Sequence, residues 1–284
     1  MLLFLITVLL FTAVKSPEQV KIRAMTFNIC TGAASDGPNS WANRKQLVVQ
    51  VIKKNDCDFI GLQEVLGFQL DEILAELPEY GAISRTREIS PYEGESCPIL
   101  YKKDQWELID GKTFWLSETP EIPGSKSWDC AFPRIFTMGI FYHAASGNGI
   151  YLYNTHFDNI SVRSRVKSSG VLTRHILNNT SHEYVMVLGD LNSSEDDEAV
   201  TSLVNNPLLD LKDIYRSTHP KRLNNDATFY GWGGHAKDSG VRVDYIFASS
   251  NFKPLSAQVI NYQANGRYPS DHCPVLAEML LGDE

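Results

Sequence analysis

The sequence predicts an α/β protein folded as one domain. From about Val20 onward, short apolar runs alternate with segments whose apolar residues recur at helical spacing. No internal repeat or linker-like tract interrupts that alternation. Polar residues also fall repeatedly where the apolar runs end, as they do around a cleft.

Lys21–Ile29 reads as the first strand. Arg44–Lys54 follows as a helix with Leu47, Val48, Val51 and Ile52 on one face. Asp58–Gln63 has the continuous apolar character of a buried strand. Leu66–Leu77 returns to helical spacing through Leu66, Leu70, Ile73, Leu74 and Leu77. A β-rich middle covers Pro98–Lys102, Trp106–Ile109, Ile135–His143 and Ile150–Thr155. The next helix, Val162–Asn178, gathers Val166, Leu172, Ile176 and Leu177 on one face and Arg163, Lys167 and Arg174 on a solvated arc. Arg165 falls on its apolar side, where a guanidinium needs an anionic partner, either a structural carboxylate or a substrate phosphate. Tyr184–Leu188 is a strand. Glu195-Asp196-Asp197-Glu198 opens a short helix behind Ser193 or Ser194 as N-cap, its acids favoured by the helix dipole. The last third holds strands at Thr228–Tyr230, Val241–Ala248, Ser256–Tyr262 and Pro274–Leu280.

Composition bounds the function. With 284 residues, 43% hydrophobic and 21% charged, the chain is neither collagen-like, coiled-coil nor wholly disordered. A net charge of −8 argues against a broad basic grip on duplex nucleic acid. Leu2–Val14 is an apolar run of 13 residues. That is shorter than the about 20 residues of a membrane span and fits a signal peptide. The expected organisation is therefore a signal peptide at 1–16, then one domain at 17–284, secreted, monomeric and without a stable membrane span. Five cysteines leave one unpaired and no pair has metal-ligand spacing; Cys97 and Cys130 are the first pair to test as a disulfide. Sequons at Asn159, Asn178, Asn179 and Asn192 suit export, although glycans at Asn159 or Asn192 would crowd the expected cleft.

The polar strand ends carry the chemistry. Asn28 ends the first strand, Gln63-Glu64 the second, Thr155-His156 a middle one and Gly189-Asp190-Leu191-Asn192 the next. Asp244 sits within Val241–Ala248, and Ser270-Asp271-His272 precedes the last strand. Alone, each is explained as a turn former or a packed histidine. Together they supply carboxylates, two histidines and two asparagines. An all-oxygen Glu/Asp/Asn set suits Mg²⁺, or Mn²⁺, rather than zinc. A metal clamp with a His and an Asp is what attack of water on a phosphate ester requires.

Met25-Thr26-Phe27-Asn28-Ile29, Leu62-Gln63-Glu64, Asn154-Thr155-His156, Gly189-Asp190-Leu191-Asn192, Val243-Asp244-Tyr245 and Ser270-Asp271-His272 resemble, in order, the motifs of the endonuclease/exonuclease/phosphatase superfamily. The resemblance runs from about Val20 to Leu280. It implies a four-layer α/β/β/α sandwich of two mixed β-sheets flanked by helices. It also implies Glu64 as the principal metal ligand, Asn28 as a neighbouring ligand or phosphate-positioning group, Asp271 beside the metal, Asp190 orienting or deprotonating the attacking water, and Asn192 on the scissile phosphate. His156 and His272 would contact phosphate oxygens, with Asp244 keeping His272 cationic. Glu95, in a looser motif, resembles the glutamate that pairs with the first histidine.

Three further residues are candidates for substrate contact: Arg134 at the head of a middle strand, Arg165, and Trp232 as a stacking surface before the Asp244 strand. The Trp-Thr-Asp-Arg signature of inositol polyphosphate phosphatases is absent, and the motifs look nearest to the RNA exonuclease and deadenylase-like branch. The leading expectation is a secreted Mg²⁺-dependent phosphodiesterase, a nuclease acting on RNA or other single-stranded nucleic acid. A phospholipid or sugar-phosphate hydrolase is the alternative enzyme, and a binding protein on the same scaffold is the alternative from another class.

Overall fold

Side-chain alternation along the strands decides the architecture. A computed structural model describes residues 19–33, 36–180, 183–223, 226–233 and 240–281. The expected signal segment lies outside the described residues. One sheet contains β1 (Val20–Asn28), β2 (Phe59–Gln63), β3 (Tyr80–Ile83), β4 (Ile99–Lys102), β11 (Phe252–Val259) and β12 (Val275–Leu281). The other contains β5 (Glu107–Trp115), β6 (Ile135–His143), β7 (Asn148–His156), β8 (Tyr184–Asp190), β9 (Leu211–Asp213) and β10 (Asp244–Ser249). Their orders are β11-β12-β1-β2-β4-β3 and β5-β6-β7-β8-β10-β9. The β1–β2 and β7–β8 pairs are parallel and the others antiparallel, so both sheets are mixed.

Alternate residues point to opposite faces of a strand. Ile22 and Ala24 of β1, Leu152 of β7, Leu188 of β8 and Ile246 of β10 share one fully buried core between the sheets. Met25 and Phe27 face the other way and pack with α1 (Trp41–Asn55) and α2 (Gly67–Glu76). Tyr153, Val187 and Phe247 do the same on the second sheet against α3 (Val162–Asn179) and α4 (Glu198–Val204). Ile214 and Tyr215 of α5 (Ile214–Thr218) join the inter-sheet core. The result is the expected α/β/β/α sandwich. Each buried Leu, Ile or Phe contributes roughly 1.5–3 kcal/mol.

The same alternation aims the polar strand ends inward. Asn28, Gln63, Asn154, His156, Asp190 and Asp244 stand two or four residues along from inward-facing core positions such as Ala24, Leu152, Leu188 and Ile246. Register holds them at one end: His156 lies opposite Asp190, and Asp190 opposite Asp244. Asn154 pins the sheets together beneath them. Its Nδ2 donates to the carbonyls of Leu62 and Pro98, each at 2.8 Å, and its Oδ1 accepts from Gln63 Nε2 at 2.7 Å. Gly61 makes room for it, since a Cβ there would come 2.6 Å from Asn154 Oδ1.

Several expectations are corrected. β3, β9 and α5 were not expected. Thr228–Tyr230 is no strand; Phe229 makes isolated bridges to Val241 and His272. The helix expected from Glu195 begins at Glu198, with Asp197 at its N-cap, because Glu195 is drawn away by Arg216 and Arg242. The five cysteines are buried and form no disulfide with one another, so the Cys97–Cys130 bridge is not formed. The basic arc of α3 faces solvent as expected, with Arg163 3.3 Å from Asp129.

Candidate active site

Two of the site residues sit in backbone that the sequence does not announce. Glu64 follows the end of β2 at φ 61°, and Asn192 follows β8 at φ 47°. Left-handed backbone costs a non-glycine residue about 1–2 kcal/mol, and such strain gathers where side chains are aimed for function. Both turns direct their side chains into a cleft of about 440 Å³ that Glu95, Arg134, His156, Asp190, Asp271 and His272 also line.

Hydrogen bonds join these groups into one cluster. Asn28, fully buried, donates through Nδ2 to Glu64 Oε1 at 3.1 Å and to Asp190 Oδ2 at 3.0 Å. Its Oδ1 accepts from the Cys30 N–H at 3.0 Å. Asn28 therefore bridges two carboxylates and does not turn its oxygen toward a metal, a correction to its expected place among the ligands. The Thr31 N–H fixes Glu64 Oε2 at 3.0 Å, and Asn192 N–H fixes Asp190 Oδ1 at 2.9 Å. His272 Nδ1 lies 2.9 Å from Asp244 Oδ2, the pairing expected of them. His272 Nε2 and His156 Nε2 approach Asp190 Oδ2 at 3.8 and 3.4 Å.

The two imidazoles differ in charge. Burial pulls His272 down, but Asp244, Asp190 and Asp271 outweigh it and raise the ring to about 10. Burial lowers His156 well below the usual histidine value, and Arg134, Arg87 and His272 push the same way. Asn192 Nδ2 lies 2.9 Å from His156 Nε2, as a donor to a neutral ring would. At neutral pH the pair thus divides into a cationic His272 and a neutral His156. Asp190 is pushed up to about 7 by burial and by Asp244, against the pull of His272 and the Asn28 hydrogen bond.

Glu64 and Asp271 form the part of the cleft that fits a cation. Burial raises the Asp271 carboxyl, and the charge of Glu64 raises it further while His272 lowers it. Two carboxylates that repel one another across a cleft fit a divalent ion, and an oxygen-only donor pair suits a hard one. Ligand atoms of Asp190, Asp244 and His272 also lie within 4.8 Å of one another. That trio is the poorer cradle, since a protonated His272 has no lone pair to offer and its Nδ1 is committed to Asp244.

Three expected contacts turn out differently. Glu95 pairs with Arg87, Nη1 to Oε2 at 2.6 Å, and not with His156. Arg165 donates to the Asp158 carbonyl at 3.1 Å, so its partner is a main-chain oxygen, not an anion. Trp232 lies against Arg44, 5.6 Å from guanidinium to ring centre; the aromatics on the cleft are Phe132 and Phe229. Arg134 does line the cleft, donating to Asn159 Oδ1 at 2.9 Å. Arg87 was missed altogether, because a lone Arg in an irregular segment leaves no pattern in sequence.

The chain that carries this arrangement is matched by known proteins. Residues 25–272 match the Endonuclease/Exonuclease/phosphatase family. The chain belongs to that family. Its members are hydrolases of phosphoester bonds, and this chain is an enzyme of that class. An endonuclease/exonuclease/phosphatase from Bacteroides vulgatus shares 31% identity at TM-score 0.86, covering 93% of this chain and 100% of that one. A mannosyl-6-phosphatase from Bacteroides thetaiotaomicron shares 28% at TM-score 0.83, covering 91% and 99%. The uncharacterised protein L388 of Acanthamoeba polyphaga mimivirus is 25% identical over 251 residues, 83% of this chain and 91% of its own length.

Proposed function

We propose that this family member is a divalent-metal-dependent phosphohydrolase acting on a terminal phosphate ester of a small, polyhydroxylated molecule, a sugar phosphate. The observation that carries this reading is the confinement of the hydrogen-bonded cluster to a cleft of about 440 Å³. That is the size of a pocket for one small ligand. The likeness to a mannosyl-6-phosphatase supports it, as does the −8 charge, which disfavours a long polyanion.

Glu64 and Asp271 are the residues that would hold the cation, for which we propose Mg²⁺, with Mn²⁺ able to substitute. When bound, the ion neutralises phosphate charge and eases attack by water. Asp190, poised near neutrality, takes the proton of that water. Asn28 and the Asn192 N–H hold its carboxyl in place. His272, kept cationic by Asp244, offers its Nε2 proton to the negative oxygens of the phosphate. Neutral His156 and Asn192 complete the wall through their mutual hydrogen bond. Export, expected from Leu2–Val14, belongs to the same proposal.

A second reading, hydrolysis at the end of a short single-stranded RNA or DNA, rests on Phe132 and Phe229. Both are partly exposed on the cleft, where they could stack on a base. Purified protein assayed with mannose 6-phosphate, a short RNA, a short single-stranded DNA and a phosphoinositide, with Mg²⁺ or EDTA, separates these readings. Metal-dependent phosphate release from the sugar supports the first. Turnover confined to the oligonucleotides, or to the lipid, overturns it.

A further inference from the structure

A narrow recess leads off the cleft, and its chemistry differs from that of the catalytic cluster. Glu64 and His156 border both spaces, but Asp190, Asn192, Asp271 and His272 line only the cleft. Two guanidiniums, Arg87 and Arg134, stand where the spaces meet. The arginine side chains are 11% and 5% exposed, and the Nε of each makes no hydrogen bond among the described residues.

Three carboxylates neighbour the pair: Glu88, 3.8 Å from Arg87 Nε, and Glu95 beside Arg87, and Asp158 beside Arg134. Asp158 is 3.6 Å from Arg134 Nε without a hydrogen bond between them. Its oxygens are occupied by the N–H groups of Ala131, Ile160 and Ser161, at 3.0, 3.0 and 2.6 Å. Arg134 is otherwise held by the neutral Asn159 amide. Glu95 takes one arm of Arg87, and the Phe132 ring covers that guanidinium at 4.7 Å. The side chains are thus fixed, and both guanidiniums line the recess and the cleft, although the Nε of each is itself shielded from solvent. Planar guanidinium forks match phosphate oxygens two at a time. In the proposed mechanism the phosphate undergoing hydrolysis has partners in His272 and in the cation that Glu64 and Asp271 would hold, so a second anion is the group these forks suit.

We propose that Arg134 and Arg87 form a second phosphate subsite, so that the preferred substrate carries another phosphate besides the one hydrolysed. This rests on the sugar-phosphate reading above and makes the substrate class a sugar bisphosphate. Glu95 and the Phe132 ring position Arg87, and Asn159 positions Arg134.

Calorimetric titration of the Asp190→Asn protein in Mg²⁺ with mannose 6-phosphate and with mannose 1,6-bisphosphate tests it. The bisphosphate should bind about tenfold tighter, the effect of one added charge-assisted contact. With Arg134→Gln or Arg87→Gln added, the ratio should fall to about one, and Arg134→Lys should restore part of it. Thermal melts confirm that each variant is folded. Equal affinity for the two sugars before the arginine substitutions overturns the subsite. So does an Arg134→Gln effect equal on both sugars, because Arg134 would then hold the phosphate that is cleaved. Absence of turnover of either sugar by the unsubstituted enzyme would instead overturn the sugar-phosphate reading, while the binding ratio still decides the subsite.

Discussion

His272 and Asp244 form a buried pair, Nδ1 to Oδ2 at 2.9 Å, with both side chains at most 7% exposed. Thr228 Oγ1 accepts the Asp244 N–H at 3.1 Å and anchors the acid at the start of β10. The pair explains how a ring that burial alone would discharge remains a cation.

Asp244→Asn removes the charge that raises His272 most. The proposed role needs the protonated ring, which is present below a value of about 10 and lost as pH rises through it. In the variant the alkaline limb of the rate profile should shift toward lower pH. At neutral pH kcat should fall by about 10²–10⁴, the usual worth of a placed acid–base group. A pH–rate profile with an unmoved alkaline limb would remove His272 from this role.

Asp190→Asn keeps the shape of the side chain and removes the proposed base. The expected loss in kcat is again about 10²–10⁴, with a circular-dichroism spectrum like that of the parent. For the parent enzyme, activity should rise with pH through about 7 as Asp190 ionises. A variant with near-parental kcat would assign water activation to another group.

Glu64→Gln should weaken divalent-ion binding more than it disturbs the fold, because an amide can still accept the Thr31 N–H that now meets Glu64 Oε2. Titration with Mn²⁺ followed by electron paramagnetic resonance reads this without any turnover. The parent should bind the ion and the variant should weaken binding at least about tenfold. Unchanged binding would move the cation to the Asp190–Asp244–His272 cluster.

The long elements and the polar strand ends could be read from sequence because each repeats a physical pattern. Leu47, Val48, Val51 and Ile52 mark one helical face, and β7, β8 and β10 each extend an apolar strand into a polar residue. β9 and α5 have three and five residues, too few for a period to emerge. β3 was passed over because Gly81 and the turn before it read as loop. Within the site, residue types could be read but orientations could not. Nothing in the sequence indicates that Glu64 and Asn192 adopt left-handed backbone, that Asn28 turns its amide toward two acids, or that Arg87 claims Glu95. Those outcomes depend on contacts between segments far apart in the chain. Asn28 and Asp190, for example, are 162 residues apart.

Gly189 is held by its surroundings. A Cβ at this position would come 2.4 Å from the Thr155 carbonyl oxygen in the neighbouring β7. Gly189→Ala should force β7 and β8 apart just below His156 and Asp190 and cost about 1–3 kcal/mol, as overpacking does. Denaturant unfolding measures the loss, and a variant as stable as the parent would show that the strands yield freely there.

Stability in acid should depend on a second charged cluster, away from the cleft. Arg242, whose side chain is 4% exposed, donates to Glu195 at 2.9 Å and to Asp213, while Arg216 also pairs with Glu195 and with Asp226. Against the upward push of burial, hydrogen bonds from Arg216 and Arg242 hold the Glu195 carboxyl below its usual value. Asp226 is lowered likewise, against burial, by the Leu223 N–H, Arg216 and Tyr215. A carboxyl lowered on folding contributes stability above its unfolded value and loses that contribution as pH falls through its folded value. The protein should therefore weaken as pH falls through and below the ordinary carboxylate range. Arg242→Met, which takes a partner from the half-buried Glu195 and Asp213, should cost up to about 3–5 kcal/mol near neutrality. That deficit should shrink as acid protonates Glu195. Thermal melts of parent and variant from pH 7 to pH 3 measure the difference. A deficit independent of pH would mean that Arg242 acts through packing on Tyr245, whose ring centre lies 4.5 Å from its guanidinium.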